Sequence, residues 1–487
     1  MRVYAIIAAM LRRTKIVATL GPATDDPEVL RAMIIAGLDV VRINFSHGSS
    51  ADQRKRVNLV RQVAAECGRD IGVMGDLQGP KIRVKRFASG STKLENGARF
   101  FIDPSLGEMD GDNAGVGVAY EYLHKDLKAG DTLLLNDGQI TLAVESIEGT
   151  RVITTVVIGG VLSDHKGINL KGGGLSTPAL TDKDRADVKL AADLAVDFLA
   201  VSFVKNADDV NEARELLRDA GGSGQVVAKI ERTEAIGCID EIIAASDVIM
   251  VARGDLGVEM GYAELTGMQK QIIRQTRRRN KVVITATQMM ESMINSPIPT
   301  RAEVSDVANA VMDGTDAVML SAETAIGQHP VAVIAAMSDV CRGAEKHLLA
   351  RTRTSHRLDD QFKEVDEAIA MAVMYTANHL AVKAIIALTE SGSTTLWMSR
   401  IRSDIPIYAF TPHVATNRRV TLYRGVYPVL FTIEHQQDQA LYNDVFKTLL
   451  SKKMVEVGDF VIFTQGDLTG ISGSTNSMRI IEVIAPD

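Results

Sequence analysis

Eight short segments of this chain are apolar almost from end to end: residues 14–20 (TKIVATL), 39–45 (DVVRINF), 71–77 (IGVMGDL), 198–204 (FLAVSFV), 225–231 (QVVAKIE), 247–254 (DVIMVARG), 281–288 (KVVITATQ) and 316–323 (DAVMLSAE). Continuous Val, Ile and Ala without alternation suits a strand buried on both faces, as in a parallel sheet. Stretches between them, such as DPEVLRAMIIAGL and AELTGMQKQIIRQTRRRN, repeat their apolar residues at helical period. Strand starts fall roughly 20 to 35 residues apart, the length of one βα unit, with one exception. The pattern predicts an α/β protein whose core is a closed (β/α)8 barrel; an open doubly wound sheet is the competing arrangement.

The exception is the interval between the third and fourth strands. There the chain reads DTLLLNDGQITLAVESIEGTRVITTVVIGGVL, alternating segments punctuated by Asn136-Asp137-Gly138 and Glu148-Gly149. Those are hairpin turns of an antiparallel sheet. Residues 80–176 are therefore expected to form an all-β domain inserted after strand three, with the barrel built from 12–79 and 177–348. The polar stretch ARTRTSHRLDDQFKE reads as a linker to a third, open α/β domain over 349–487, with a helix at AIAMAVMYTANHLA and strands at AIIALT, IPIYAF, VYPVLF and DFVIFT. Residues 1–11 read as an N-terminal extension. Its apolar run is too short for a membrane helix of ~20 residues, and it leaves no spacer before TKIVATLGPA for a cleavable leader.

Composition narrows the function. The 54 Lys and Arg against 61 Asp and Glu are scattered, giving a net charge of −7 that points to neither nucleic acid nor an anionic membrane as partner. The 3 cysteines, Cys67, Cys238 and Cys341, lie too far apart for a zinc site and do not pair up as a disulfide framework, which fits a reducing, cytoplasmic setting.

In a βα barrel, chemistry gathers at the C-terminal ends of the strands. Those ends carry Arg42, Asn44, Ser46 and His47; Asp76, then Lys81 and Arg83; Lys229 and Glu231; Arg253, Gly254 and Asp255; Thr287; and Ser321 with Glu323. By strand alternation Lys229 and Glu231 share a side, as do Arg42 and Asn44. Glu231 and Asp255 suit Mg2+, which takes few carboxylates and keeps room for phosphate and water. Arg42, Arg83 and Lys229 supply charge for a phosphoryl group in transit. Any one of these charges read alone is equally a rim ion pair, and His47 a satisfied rim histidine; charges at most of the strand ends together favour a metal-dependent, phosphate-handling enzyme. Neither a P-loop nor a GxGxxG turn opening a helix occurs.

VRINFSHG, GDLQGPKIR, VVAKIERTEAI, MVARGDLGVE, TATQMMESMI and LSAETAIG, in this order along the chain, resemble the landmarks of the pyruvate kinases, over nearly the whole chain from Arg12 onward. The resemblance implies a phosphotransferase taking the phosphoryl group of phosphoenolpyruvate to ADP, giving pyruvate and ATP, with Mg2+ or Mn2+. It implies that Lys229 stabilises the phosphoryl group, Glu231 and Asp255 hold the metal, Arg42 contacts phosphate, and Thr287 with the Gly254-Asp255 backbone cradles the substrate carboxylate, with enolate protonation near Thr287. Arg83, His47 and Lys166 would approach the nucleotide phosphates, and the inserted domain would act as a lid.

Potassium-dependent members carry Glu where this chain has Lys81, and Thr and Lys where it has Leu77 and Gln78; Asn44, Ser46 and Asp76 match the remaining cation ligands. The Leu77, Gln78 and Lys81 set resembles the potassium-independent branch, with the Lys81 ammonium in place of K+; a solvated lid-hinge lysine is the plainer alternative. In the C-terminal domain, LTESGSTT and GDLTGISGSTN resemble the family's effector site, with Thr389, Ser391, Gly392, Ser393 and Thr394 as candidate contacts to a phosphorylated metabolite. A helix start capped by Ser or Thr is the structural alternative. The resemblance further implies allosteric control and a cytoplasmic homotetramer. A metal-dependent lyase acting on a keto acid, and a barrel that binds an effector without catalysis, are the other classes considered.

Overall fold

The eight apolar segments all become strands, and they close on one another. The computed structural model describes residues 11–351, 361–433, 438–466 and 473–486. Lys15–Thr19, Val40–Asn44, Gly72–Asp76, Phe198–Val201, Gln225–Ile230, Val248–Ala252, Val282–Ala286 and Ala317–Leu320 form a closed, all-parallel barrel, the first strand pairing with both the second and the eighth. The open doubly wound alternative is thereby excluded. The expected N-terminal extension, apart from Leu11, lies outside the described residues, as do 352–360 of the linker and 467–472 of the glycine-rich loop.

Closure explains why the strands need no visible alternation. One set of alternate residues, among them Ile16, Ala18, Val41, Ile43, Val73 and Leu199, packs outward against the helices. The other set, Val17, Val40, Met74, Phe198, Val227, Met250 and Ile284, fills the barrel interior. Both sets are out of water, so both are apolar. The interior set continues into Met374, Met398, Leu422 and Tyr423 of the C-terminal domain, so the barrel base and that domain share one core.

The insertion leaves after the third strand and returns before the helix Asp182–Asp193. It holds a six-stranded sheet, in spatial order 168–170, 132–135, 140–148, 151–158, 99–102, 115–116, and a separate two-stranded piece pairing 91–94 with 160–163. Asn136, Asp137 and Gly138 all take positive φ in the expected hairpin, and Gly149 does so in the next. The insertion is not wholly β: Leu123–Asp126 form one helical turn. In the C-terminal domain the four expected strands are parallel, and a fifth, Thr475–Glu482, joins antiparallel at the edge. This fifth strand is largely exposed and has no continuous apolar run, so the sequence pattern does not announce it.

A buried ion pair ties the barrel base to the C-terminal domain. Arg400 reaches Asp316 through two bonds, 2.6 and 3.0 Å, with both side chains 2% exposed. Asp316 also accepts the Val283 N–H, and Arg400 donates to the Lys281 carbonyl. Removing one partner strands the other charge, at a cost of about 3–5 kcal/mol. Arg400→Met is therefore expected to lower the urea midpoint by a corresponding amount; a midpoint equal to that of the wild type refutes the assignment.

Candidate active site

The interior face of the barrel changes character from base to mouth. In the second strand Val40 is followed two residues later by Arg42; in the third, Met74 by Asp76; in the fourth, Ala200 by Ser202; in the fifth, Val227 by Lys229 and Glu231. Thr19 ends the first strand in register with Arg42, and Asn44 lies in register with Asp76. The alternation that builds an apolar core below therefore aims polar groups at one another above.

Asp76 is the hub. Its Oδ2 accepts Arg42 Nε at 2.5 Å, and its Oδ1 lies 3.3 Å from Lys229 Nζ. Burial pushes this carboxyl up, but the Arg42 and Lys229 charges outweigh that and hold it below the usual aspartate range. Lys229 Nζ donates to Ser202 Oγ at 2.6 Å and sits 3.0 Å from Glu231 Oε1. Burial alone would neutralise this lysine; Asp76 and Glu231 instead raise its affinity for the proton. Arg42 Nη1 donates to Thr19 Oγ1. Ser202 donates to the Leu77 carbonyl, and Gly79 passes beneath it at φ +67°, where a Cβ would fall 2.7 Å from that of Ser202. Glycine at 79 thus lets the lid root pass close to the residue that holds Lys229.

Glu231 Oε2 accepts the N–H of Phe203, itself at φ +56°. Burial raises the Glu231 carboxyl, and the neighbouring Asp255 and Asp76 charges add to that against Lys229. Two carboxylates that repel each other at an otherwise cation-lined mouth fit a divalent ion with few protein ligands. Among the described residues no group of three or more His, Cys, Asp and Glu forms a denser metal cluster. Across the mouth, Thr287 at φ +70° accepts the Gly254 N–H at 2.8 Å on Oγ1 and donates that hydroxyl to the Ala286 carbonyl.

Two family models cover most of the chain: pyruvate kinase, barrel domain, over residues 11–334, and pyruvate kinase, alpha/beta domain, over 367–481. The chain belongs to the pyruvate kinase family. It is 54% identical over 477 residues to pyruvate kinase II of Salmonella typhimurium, covering 97% of this chain and 99% of that one. A pyruvate kinase of Buchnera aphidicola subsp. Schizaphis graminum is 51% identical over the same shares, and one of Haemophilus influenzae is 51% identical over 94% of this chain and 96% of its own. No described helix is long and apolar enough to cross a membrane.

With the pyruvate kinase family shown, the remaining expected site residues can be located. Lys81 Nζ reaches Asp255 Oδ1 at 3.0 Å and Asp137 Oδ1 at 3.7 Å, and these charges hold its proton against burial. Asn44 Oδ1 accepts the Ser46 N–H instead of meeting Lys81. Arg83 pairs with Gly167 across the lid root, next to Lys166, and donates to the His165 carbonyl. His47 stands exposed in the loop after the second strand. Among the described residues no hydrogen bond or ion pair joins it to Arg83 or Lys166. In the C-terminal domain Thr389 Oγ1 accepts the Gly392 N–H, Ser393 donates to Asp366, Thr394 bonds Thr475, and Arg419 donates to the Ser391 carbonyl. The short helix there is capped by Gly392 at φ +86°, not by a Ser or Thr side chain.

Thr19, Ser202 and Arg253 received no role from sequence. The signal for the first two was the same alternation that linked Lys229 to Glu231. Glu323, a strand-end carboxylate, faces inward to the N–H groups of Met290 and Ser321 and is structural. Glu259 was also passed over. It takes the Thr233 N–H on its carboxylate and the Gly172 N–H on its carbonyl, where the lid returns.

Burial raises the Glu259 carboxyl to about 7, against ~4.3 in an unfolded chain. Between those values the folded state keeps a proton that the unfolded chain has released. Its contribution to stability therefore falls as pH rises through that window and levels off above it. Urea titrations of wild type and Glu259→Gln should diverge progressively from pH 4.5 to 8, to the variant's advantage by up to roughly 3 kcal/mol. A pH-independent difference contradicts this.

Proposed function

We propose that this chain transfers the phosphoryl group of phosphoenolpyruvate to ADP, yielding pyruvate and ATP, with Mg2+ or Mn2+, without a need for K+, and under control by a phosphorylated metabolite. The observation that carries the reading is the buried Arg42–Asp76–Lys229–Glu231 constellation at the barrel mouth, in a chain of this family. Glu231 and Asp255 would hold a divalent ion, which would supply Lewis-acid charge for the phosphoryl transfer.

The protein groups divide the rest of the work. Arg42 and Lys229 neutralise the phosphoryl oxygens while a terminal oxygen of ADP attacks phosphorus and the bond from phosphorus to the enol oxygen breaks. Asp76 keeps both cations charged and aimed, so no reorganisation is needed as charge develops. The enolate left behind takes a proton at its methylene carbon from the side of Thr287, while the Gly254-Asp255 backbone seats the carboxylate. Arg83 and Lys166 approach the nucleotide phosphates from the lid, and His47 from the rim. Lid closure over the mouth keeps water from intercepting the phosphoryl group.

Lys81 supplies the monovalent charge that K+ provides elsewhere in the family; its ion pair with Asp255 supports this, since it adds a fixed cation beside the metal-binding carboxylate. The loop 389–394 receives the effector's phosphate, a reading supported by the left-handed turn at Gly392 and the nearby Arg419. Exposed apolar residues on both units, Tyr262 and Ile298 on the barrel and Val365 and Phe460 on the C-terminal domain, support assembly as a homotetramer.

Pyruvate formation from phosphoenolpyruvate, ADP and Mg2+ in K+-free buffer is the direct test, and turnover is expected without added K+. Absence of turnover with and without K+, and with sugar phosphates or AMP present, returns the lyase reading. Lys229→Met should reduce kcat by about 3–4 kcal/mol of transition-state stabilisation while the fold persists; near-native turnover contradicts the role given to Lys229. Lys81→Glu should make activity depend on added K+, and unchanged activity in its absence removes the tethered-cation idea.

A further inference from the structure

Thr287 and Gln288 take successive left-handed conformations, with φ +70° and +53°. That is an uncommon backbone for any residue with a Cβ and costly for a β-branched one. Something must over-determine it. The side chain that does so is Arg253, from the end of the sixth strand, which is 7% exposed. Its Nε donates to the Ala286 carbonyl at 3.3 Å, and its Nη2 to the carbonyls of Thr287 at 2.7 Å and Gln288 at 3.4 Å. One guanidinium thus holds three successive carbonyls of the strained turn.

The next residue acts on the same threonine, because the Gly254 N–H donates to Thr287 Oγ1. The guanidinium is fixed from behind by Asp306 Oδ1 at 2.7 Å and Gln269 Oε1 at 3.3 Å, on the helices Arg301–Asp313 and Tyr262–Arg278. A buried cation with that many acceptors is held in one orientation, and a lysine's single nitrogen cannot span the same set.

We infer that Arg253 is a positioning residue for the reaction: through the 286–288 carbonyls it holds in place the strained backbone that carries the Thr287 hydroxyl at the mouth, and Asp306 anchors it from the outer helix layer. The inference rests on the reading of Thr287 as the group on the protonation side. Arg253 itself points away from the mouth, into the protein, and touches no substrate. Its effect passes through the direction of one hydroxyl, where a displacement of an ångström costs on the order of 100-fold in rate.

The test is methyl-proton exchange of pyruvate into D2O, followed by NMR on the full chain with Mg2+, since exchange reports the proton step without phosphoryl transfer. Arg253→Lys and Thr287→Val are each expected to slow exchange on the order of 100-fold, and the double variant no more than either alone, because both remove the same element. Asp306→Asn, which keeps the side chain's shape, should give a smaller loss in the same step and serves if Arg253→Lys does not fold. Native exchange by Arg253→Lys, or by Asp306→Asn in its place, overturns the inference while Thr287→Val is impaired. So do losses that multiply in the double variant. Native exchange by Thr287→Val overturns the reading of Thr287 and the inference with it.

Discussion

Asp76 has almost no contact with water, yet it carries charge because two cations converge on it, Arg42 on one oxygen and Lys229 on the other. An isolated carboxylate in that position would take up a proton, and isolated cations beside it would lose theirs or turn to solvent. Each group is therefore kept charged by the others. Ser202 and Glu231 complete the set around Lys229, and the Gly79 passage beside Ser202 ties the lid root to it. A site for transferring a highly charged group needs such prepaid organisation, since fixed charges do not have to rearrange when the transition state forms.

This buried charge is tolerable because of what lies beneath and behind it. The barrel interior below the mouth is filled by Val17, Met74, Phe198 and Met250, and that filling continues into the C-terminal domain. The charged layer thus rests on a packed floor instead of a pore. The Arg400–Asp316 pair fastens the same floor from the side of the C-terminal domain. The inserted domain meets the barrel through Lys81 on Asp255 as it leaves and, as it returns, through Gly172, Gly174 and Leu175, which bond Glu259, Glu234 and Arg232. Where the inserted domain returns, the glycine run at 172–174 takes positive φ throughout, a backbone that residues with a Cβ seldom adopt.

Much of the candidate site was legible because a strand's period is two and its end is polar. Lys229 and Glu231 were placed on one side by counting, and the same count, extended to Phe198, Ala200 and Ser202, would have added Ser202. The hairpin turns of the insertion were legible in Asn136-Asp137-Gly138, which needs left-handed backbone. The edge strand Thr475–Glu482 was not, because an exposed strand has no apolar run to announce it. Glu323 shows the opposite limit: a strand-end carboxylate by sequence, it spends both oxygens on backbone N–H groups, that of Ser321 in its own loop and that of Met290 in the loop after the seventh strand.

What the sequence determined by itself was the repeat: eight apolar strands with helices between them, an alternating insertion after the third, and an ordered series of polar strand ends. Those follow from local periodicity, which any stretch of chain carries on its own. Which polar ends meet was decided only by closure of the barrel. Arg42 and Asp76 are 34 residues apart along the chain and Lys229 lies far beyond the insertion, yet sheet register brings them within hydrogen-bonding distance. Whether a charge such as Arg253 faces the mouth or is turned behind it to brace Thr287 depends on acceptors contributed by other strands and helices, and no local pattern contains those.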